Sequence, residues 1–205
     1  FTTTEINRNR EMAAVLSKSP PLPRLGRLPA WMAALSLVGL LWPSPPGVAG
    51  ELEPVSNSPA APALALPDLG DRVHRLDDYS GQVVLVNFWA TWCPPCVAEI
   101  PSLQRLHRSL SGQPFALLAV SMGENKQQVQ EFSEKAGIDF PLLPDPAADV
   151  SQRWEIDFLP TSHLVDAQGH LRYSAYGEVN WDDDEVRATL RALLEEIDPG
   201  SAPAD

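Results

Sequence analysis

Val83-Val84-Leu85-Val86-Asn87-Phe88-Trp89-Ala90-Thr91-Trp92-Cys93-Pro94-Pro95-Cys96 runs an apolar segment into the only two cysteines of the chain. The unbroken apolar run Val83 to Phe88 reads as a strand buried on both faces. Proline is well placed at the first helical position, where its missing amide would have no partner, so Pro94 predicts a helix beginning directly after Cys93. A free thiol has a pKa of about 8.5, and the unpaired amides and positive dipole end of a helix favour the thiolate at Cys93. Its sulfur is expected to be partly exposed. A pair spaced in this way implies thiol and disulfide exchange: Cys93 attacks a substrate disulfide, and Cys96 resolves the mixed disulfide from within the helix. The alternative is a stabilising bridge, but closing so short a loop removes little chain entropy.

Downstream, the spacing of Val97, Ile100, Leu103 and Leu106 predicts a helix from about Pro94 to Leu110, with Pro101 inside it. Glu99 lies three residues after Cys96, hence on the same helical face, and is the candidate acceptor for the Cys96 proton. If buried there its pKa rises; if the face is solvated, Glu99 is an ordinary helix glutamate. The pattern continues with a strand at Phe115 to Val120, a helix from Glu124 to Ala136 ended by Gly137, and a short strand at Phe140 to Leu143. A short helix from Ala147 to Trp154 follows, then a strand Thr161 to Val165, a turn at Asp166-Ala167-Gln168-Gly169, and a returning strand Leu171 to Tyr176. The last helix places Val186, Leu190, Leu193, Leu194 and Ile197 on one face, with Asn180 or Asp182 as cap. A hairpin pairing Val73-His74-Arg75-Leu76 with Tyr79-Ser80-Gly81 is expected ahead of the first long strand. This alternation predicts an α/β fold with a central mixed sheet covered by helices on both faces.

Lysine and arginine number 15 against 27 acidic residues, a net charge of −12, and beyond residue 50 the balance is 10 against 25. Such a surface disfavours nucleic acid and anionic lipid headgroups. Residues 1–50 differ: five basic residues precede the uncharged run Leu28 to Trp42, and small residues follow at Val48-Ala49-Gly50. This reads as a signal peptide cut near Gly50, or as an N-terminal membrane anchor, although a spanning helix usually needs about twenty apolar residues. Seven prolines between Pro43 and Pro67 make residues 51–66 read as a Pro-rich linker ahead of a folded domain at 67–198 and a tail at 199–205. His74, His107, His163 and His170 are scattered, so no metal site is expected from them.

Trp89-Ala90-Thr91-Trp92-Cys93-Pro94-Pro95-Cys96, followed by Leu159-Pro160-Thr161 at a strand start, resembles the thioredoxin superfamily, and more closely its exported TlpA and ResA type. The resemblance covers about residues 64 to 197 and implies a thioredoxin-like fold with an extra strand and helix, here Gly137 to Phe158. It also implies a cis peptide bond before Pro160, a loop there that packs against the cysteines, and pairing of an extended substrate segment with the Leu159 backbone. Trp92, Pro94 and Pro95 would border that substrate site. Where thioredoxin itself has a buried aspartate, this chain has Asn87, and the family's glutamate stands at Glu99. The activity implied is reduction of disulfides in periplasmic or other extracytoplasmic proteins, such as partners of cytochrome c biogenesis or copper-site assembly. The Cys93/Cys96 pair itself would be the redox centre, without a separate cofactor, supplied by a membrane thiol-disulfide electron donor. Three alternatives stand beside this. A disulfide oxidase would differ in redox potential. A peroxiredoxin-like peroxidase would want proline and threonine where Val86 and Ala90 stand. A copper-binding assembly module would need ligands beyond the cysteines and Met122. The glycine-rich segment of the dedicated haem-maturation branch is missing from Trp154 to Leu159.

Overall fold

In the computed structural model, which describes residues 50–197, the described chain lies within the unit Pro45–Asp205. Strand β4 (Val83–Trp89) is buried at all seven positions and forms the middle of the sheet. It pairs in parallel with β5 (Phe115–Met122) and antiparallel with β7 (Thr161–Val165). Beyond β5 lies parallel β6 (Leu142–Asp145); beyond β7 lie antiparallel β8 (Leu171–Tyr176) and the short β1 (Glu53–Pro54). The six-stranded order is β1-β8-β7-β4-β5-β6.

The period of two along β4 divides its side chains between two cores. Val83, Leu85 and Trp89 join a cluster with Leu103 and Leu106 of helix α1 (Pro94–Ser109) and Leu190 and Leu193 of helix α4 (Asp184–Glu195). Val84, Val86 and Phe88 join the opposite cluster, with Val150 of helix α3 (Asp149–Arg153) and Trp154. Asn87 therefore falls on the α1 side, in phase with Leu85 and Trp89. Helix α2 (Lys126–Ala136) is capped by the Asn125 side chain, which accepts from the Gln128 N–H, and ends in Gly137 at φ 64°, a left-handed position suited to glycine. It contributes the buried Val129 to the α1-side core.

The expected mixed sheet, flanking helices and strand-helix insertion are all present, the insertion as β6 and α3. Several local readings differ, among them the short strand expected at Phe140 to Leu143, which is Leu142–Asp145, and the short helix expected from Ala147 to Trp154, which is Asp149–Arg153 because Ala148 takes a left-handed backbone conformation. The hairpin before β4 pairs β2 (Ala65–Pro67) with β3 (Val73–Arg75), because residues Leu76–Tyr79 turn into a 3-10 helix instead of a return strand. The segment 51–66 is not simply a linker: its residues add β1 to β8, Ala60 bridges His170, and Leu64 is buried. Proline there removes donors without preventing carbonyls from accepting, as in the Leu171 N–H to Pro59 carbonyl bond of 2.8 Å. Helix α4 is capped by Asp183, which accepts from the Glu185 N–H at 2.9 Å, while Asp182 is drawn to Arg105 and Arg187. Helix α2 begins two residues later than Glu124, whose side chain is used elsewhere. The signal or anchor run and the tail after Ile197 lie outside the described residues.

Candidate active site

The turn from β4 into α1 places Cys93 at the helix N-cap, with Pro94 and Pro95 opening the first turn. Cys93 and Cys96 are joined as a disulfide, with Cα atoms 5.3 Å apart, and the Cys96 N–H points at Cys93 Sγ at 3.4 Å. That amide is one of the unpaired donors of the helix start, the feature that favours a thiolate at Cys93 once the bridge opens. Contrary to the expected partial exposure, Cys93 is only 4% exposed, because Trp92 and the two prolines stand out around it and Trp92 is 68% exposed. Trp89, by contrast, is a core residue packed on Phe132.

Helix α1 buries Cys96, Glu99, Ile100, Leu103 and Leu106 along one stripe, so Glu99 is carried inside the protein by the same periodicity that makes the helix amphipathic. Its Oε1 accepts from Asn87 Nδ2 at 2.7 Å and its Oε2 from the Val179 N–H at 3.1 Å. Burial pushes its pKa up to about 7; the Val179 and Asn87 donors oppose the rise, and the nearby Glu178 charge adds to it. The Trp181 indole N–H also opposes the rise, though it falls short of hydrogen-bond geometry. The second hydrogen of the Asn87 amide goes to Ser162 Oγ at 3.0 Å, on the neighbouring strand β7.

The Leu159–Pro160 peptide is cis, and its loop is tied to β8 by the Gly177 N–H, which donates to the Pro160 carbonyl at 2.9 Å. A cavity of about 620 Å³ lies over the disulfide. Trp92, Cys93, Pro94, Pro95 and Leu159 line it, whereas Pro160 is buried and is not part of its wall. Met122, named above for the copper-binding alternative, completes the wall with Gly123, Ala148, Asp157 and Phe158, and no sequence signal singles out these last four. They come from the end of β5, the loop after it and the insertion, which only the fold brings to the cysteines. Cys96 and Glu99 lie beneath, at 1% exposure each.

Glu124 also escapes sequence reading. Its buried carboxylate accepts from the Thr91 N–H at 2.9 Å, from Thr91 Oγ1, and from Ser121 Oγ at 2.5 Å. It thereby fastens the turn two residues ahead of Cys93 to the end of β5. Its only hint is a charged residue just after an apolar strand. The histidines are engaged away from the cysteines: His74 with Tyr79 and Asp68, and His163 with Ser174.

The AhpC/TSA family model matches residues 58–174. The thiol-disulfide oxidoreductase ResA of Geobacillus thermodenitrificans is 36% identical over 145 residues, covering 71% of this chain and 80% of that protein. ResA of Bacillus subtilis is 32% identical over 119 residues, 58% of this chain and 66% of that one. Among solved structures, a Chlorobium tepidum protein assigned as thiol:disulfide interchange protein DsbE superposes with a TM-score of 0.63 at 26% identity, covering 70% of this chain and 99% of that one. A secreted thiol-disulfide isomerase of Corynebacterium glutamicum gives a TM-score of 0.63 at 23% identity, over 75% and 96% of the two chains, a likeness of fold.

Proposed function

The chain belongs to the AhpC/TSA family and to the ResA thiol-disulfide oxidoreductases, and from that premise we propose that it works as a reductase of disulfides in extracytoplasmic proteins, with Cys93 as nucleophile and Cys96 as resolving thiol. The observation that carries this is the Cys93–Cys96 bridge at the start of α1, lying in the floor of an open cavity beside the cis Leu159–Pro160 loop.

The reduced protein attacks first with the Cys93 thiolate, which forms a bond to one sulfur of the partner disulfide and breaks the partner's S–S bond. The departing partner sulfur takes up a proton. The Cys96 thiol gives its proton to the Glu99 carboxylate and attacks Cys93 Sγ, releasing the partner's second thiolate. Two electrons pass to the partner, and the protein is left in the disulfide form. A thiol donor, in this reading a membrane thiol-disulfide protein, returns two electrons for the next cycle. A Glu99 pKa of about 7 suits this role, since the group is about half ionised near neutral pH and can both take and release a proton. In this reading an extended partner segment pairs with the Leu159 backbone and runs against a rim of Trp92, Pro94 and Pro95, a role supported by their places in the cavity wall. No cofactor beyond the cysteine pair is needed, and export is assigned to residues 1–50, as signal or anchor.

The test combines two measurements. Mixed disulfides are trapped in the native compartment with Cys96→Ser, and the potential of the wild-type pair is measured. Trapped disulfide-bearing proteins and a potential near or below that of thioredoxin, about −270 mV, support the reductase. A potential near about −120 mV with thiol-bearing partners would make it an oxidase.

A further inference from the structure

A second groove, of about 690 Å³, adjoins the cavity over the disulfide, and Asp157 and Phe158 belong to the walls of both. It runs past β7 and β8, with the N-terminal arm at Val55 and Pro59 as its other wall. Four large apolar side chains are exposed among the described residues, and three of them stand on these two cavities: Trp92, Phe158 and Tyr176. Phe158 and Tyr176 form a tilted pair with ring centroids 5.6 Å apart. Tyr176 is paired in register with Thr161, the residue after the cis proline, so the aromatic pair directly continues the loop beside Cys93.

The charges of the wall indicate the kind of occupant. Glu155 and Asp157 on the wall enter no ion pair among the described residues, whereas the one wall cation, Arg153, is turned to the Ala63 carbonyl at 2.9 Å.

Resting on the reductase reading above, we infer that this second groove docks the polypeptide flanking the partner's disulfide, an extended segment that carries an aromatic residue and lysine or arginine. The aromatic side chain packs on Phe158 and Tyr176, the basic one meets Glu155 and Asp157, and the partner's sulfur is thereby delivered over Cys93. The overall negative charge of the chain beyond residue 50 favours the same partners at longer range.

The test uses the reduced full chain and four probes. Three are peptides with an internal Cys-Ala-Ala-Cys disulfide flanked on both sides by Lys-Trp-Lys, Glu-Trp-Glu or Ser-Ala-Ser; the fourth is hydroxyethyl disulfide, which has no flank. The Lys-Trp-Lys peptide is expected to be reduced with the highest kcat/KM. Tyr176→Ala should raise its KM about fivefold, Glu155→Gln about twofold and only at low salt, with hydroxyethyl disulfide reduced as before. Tyr176→Phe, which keeps the ring, should retain the wild-type KM. Equal rates for the three peptides, or an equal loss with hydroxyethyl disulfide in Tyr176→Ala, overturns the docking role while leaving the reductase intact. Concentration-dependent dimerisation abolished by Tyr176→Ala also overturns it, in favour of a second copy as occupant. Failure of the wild type to reduce any of the four probes sinks the reductase reading, and the docking site with it.

Discussion

Glu99 and Glu124 are both buried, Glu99 beneath the cysteines and Glu124 against the turn that precedes them, and each has its own set of donors. Glu99 receives two donors and loses to burial, so it ionises near 7 in the fold against 4.5 when exposed. Between those values the folded protein keeps a proton that the unfolded chain has released. Stability therefore falls as pH rises through this window, by up to about 3 kcal/mol. Urea titrations should show wild type losing stability relative to Glu99→Gln from pH 4.5 to 7, with no further divergence above. The resolving step, followed as release of a partner from the mixed disulfide, should rise through pH 7 in wild type and lose that inflection in Glu99→Gln. Glu124 instead gathers two donors from Thr91 and one from Ser121. Its truncation in Glu124→Ala should cost about 2 to 3 kcal/mol, by stranding buried donors, in denaturation of the oxidised protein. Glu99 is legible in the sequence because it stands in the apolar stripe of α1. Glu124 is not, since its partner Thr91 is 33 positions away and only the parallel pairing of β4 and β5 brings the two together.

At the level of elements, the insertion is held by Asp145, a buried residue at the end of β6. Its side chain accepts from the Ser151 N–H at 2.9 Å, from Ser151 Oγ at 2.8 Å and from the Val150 N–H at 3.4 Å, doing the capping that Ala148, at φ 57°, cannot do. Asp145→Ala should destabilise by about 2 kcal/mol and, because Ala148 lines the cavity over the disulfide, also lower kcat/KM for protein disulfides. Replacing Ala148 with glycine should be stabilising or neutral, since glycine adopts that backbone angle without strain. Both variants are readily compared by thermal unfolding and a disulfide-reduction assay. The strands and main helices are readable from periodicity because burial dictates it. The caps and the leading hairpin are less so, because Asn180, Asp182 and Asp183 are chemically alike, and Asp182 is engaged by Arg187 of the helix itself and by Arg105, 77 positions away in sequence.

For the molecule as a whole, the arm at residues 50–62 settles where the sheet ends. Glu53 and Pro54 pair with Ser174 and Tyr173, so β8 is an inner strand and β1, only two residues long, is the edge. Short, proline-bearing edges resist pairing with other chains. Deleting 50–62 should lower Tm by roughly 5 °C and, by baring β8, produce concentration-dependent association in sedimentation. Proline content makes this segment look unattached, and the carbonyl-side pairing that proline permits is invisible until the neighbouring strand is in place.

The amide of Asn87 spends its two hydrogens on two different neighbours, Glu99 of α1 and Ser162 of the strand that carries the cis proline loop. A carboxylate in that position would have no hydrogen to give and would face Glu99 as a second anion. The interior beneath the cysteines thus has the capacity for a single proton. An Asn87→Asp exchange would turn that one-proton store into a coupled pair with two macroscopic ionisations, so the identities at 87 and 99 are one choice rather than two.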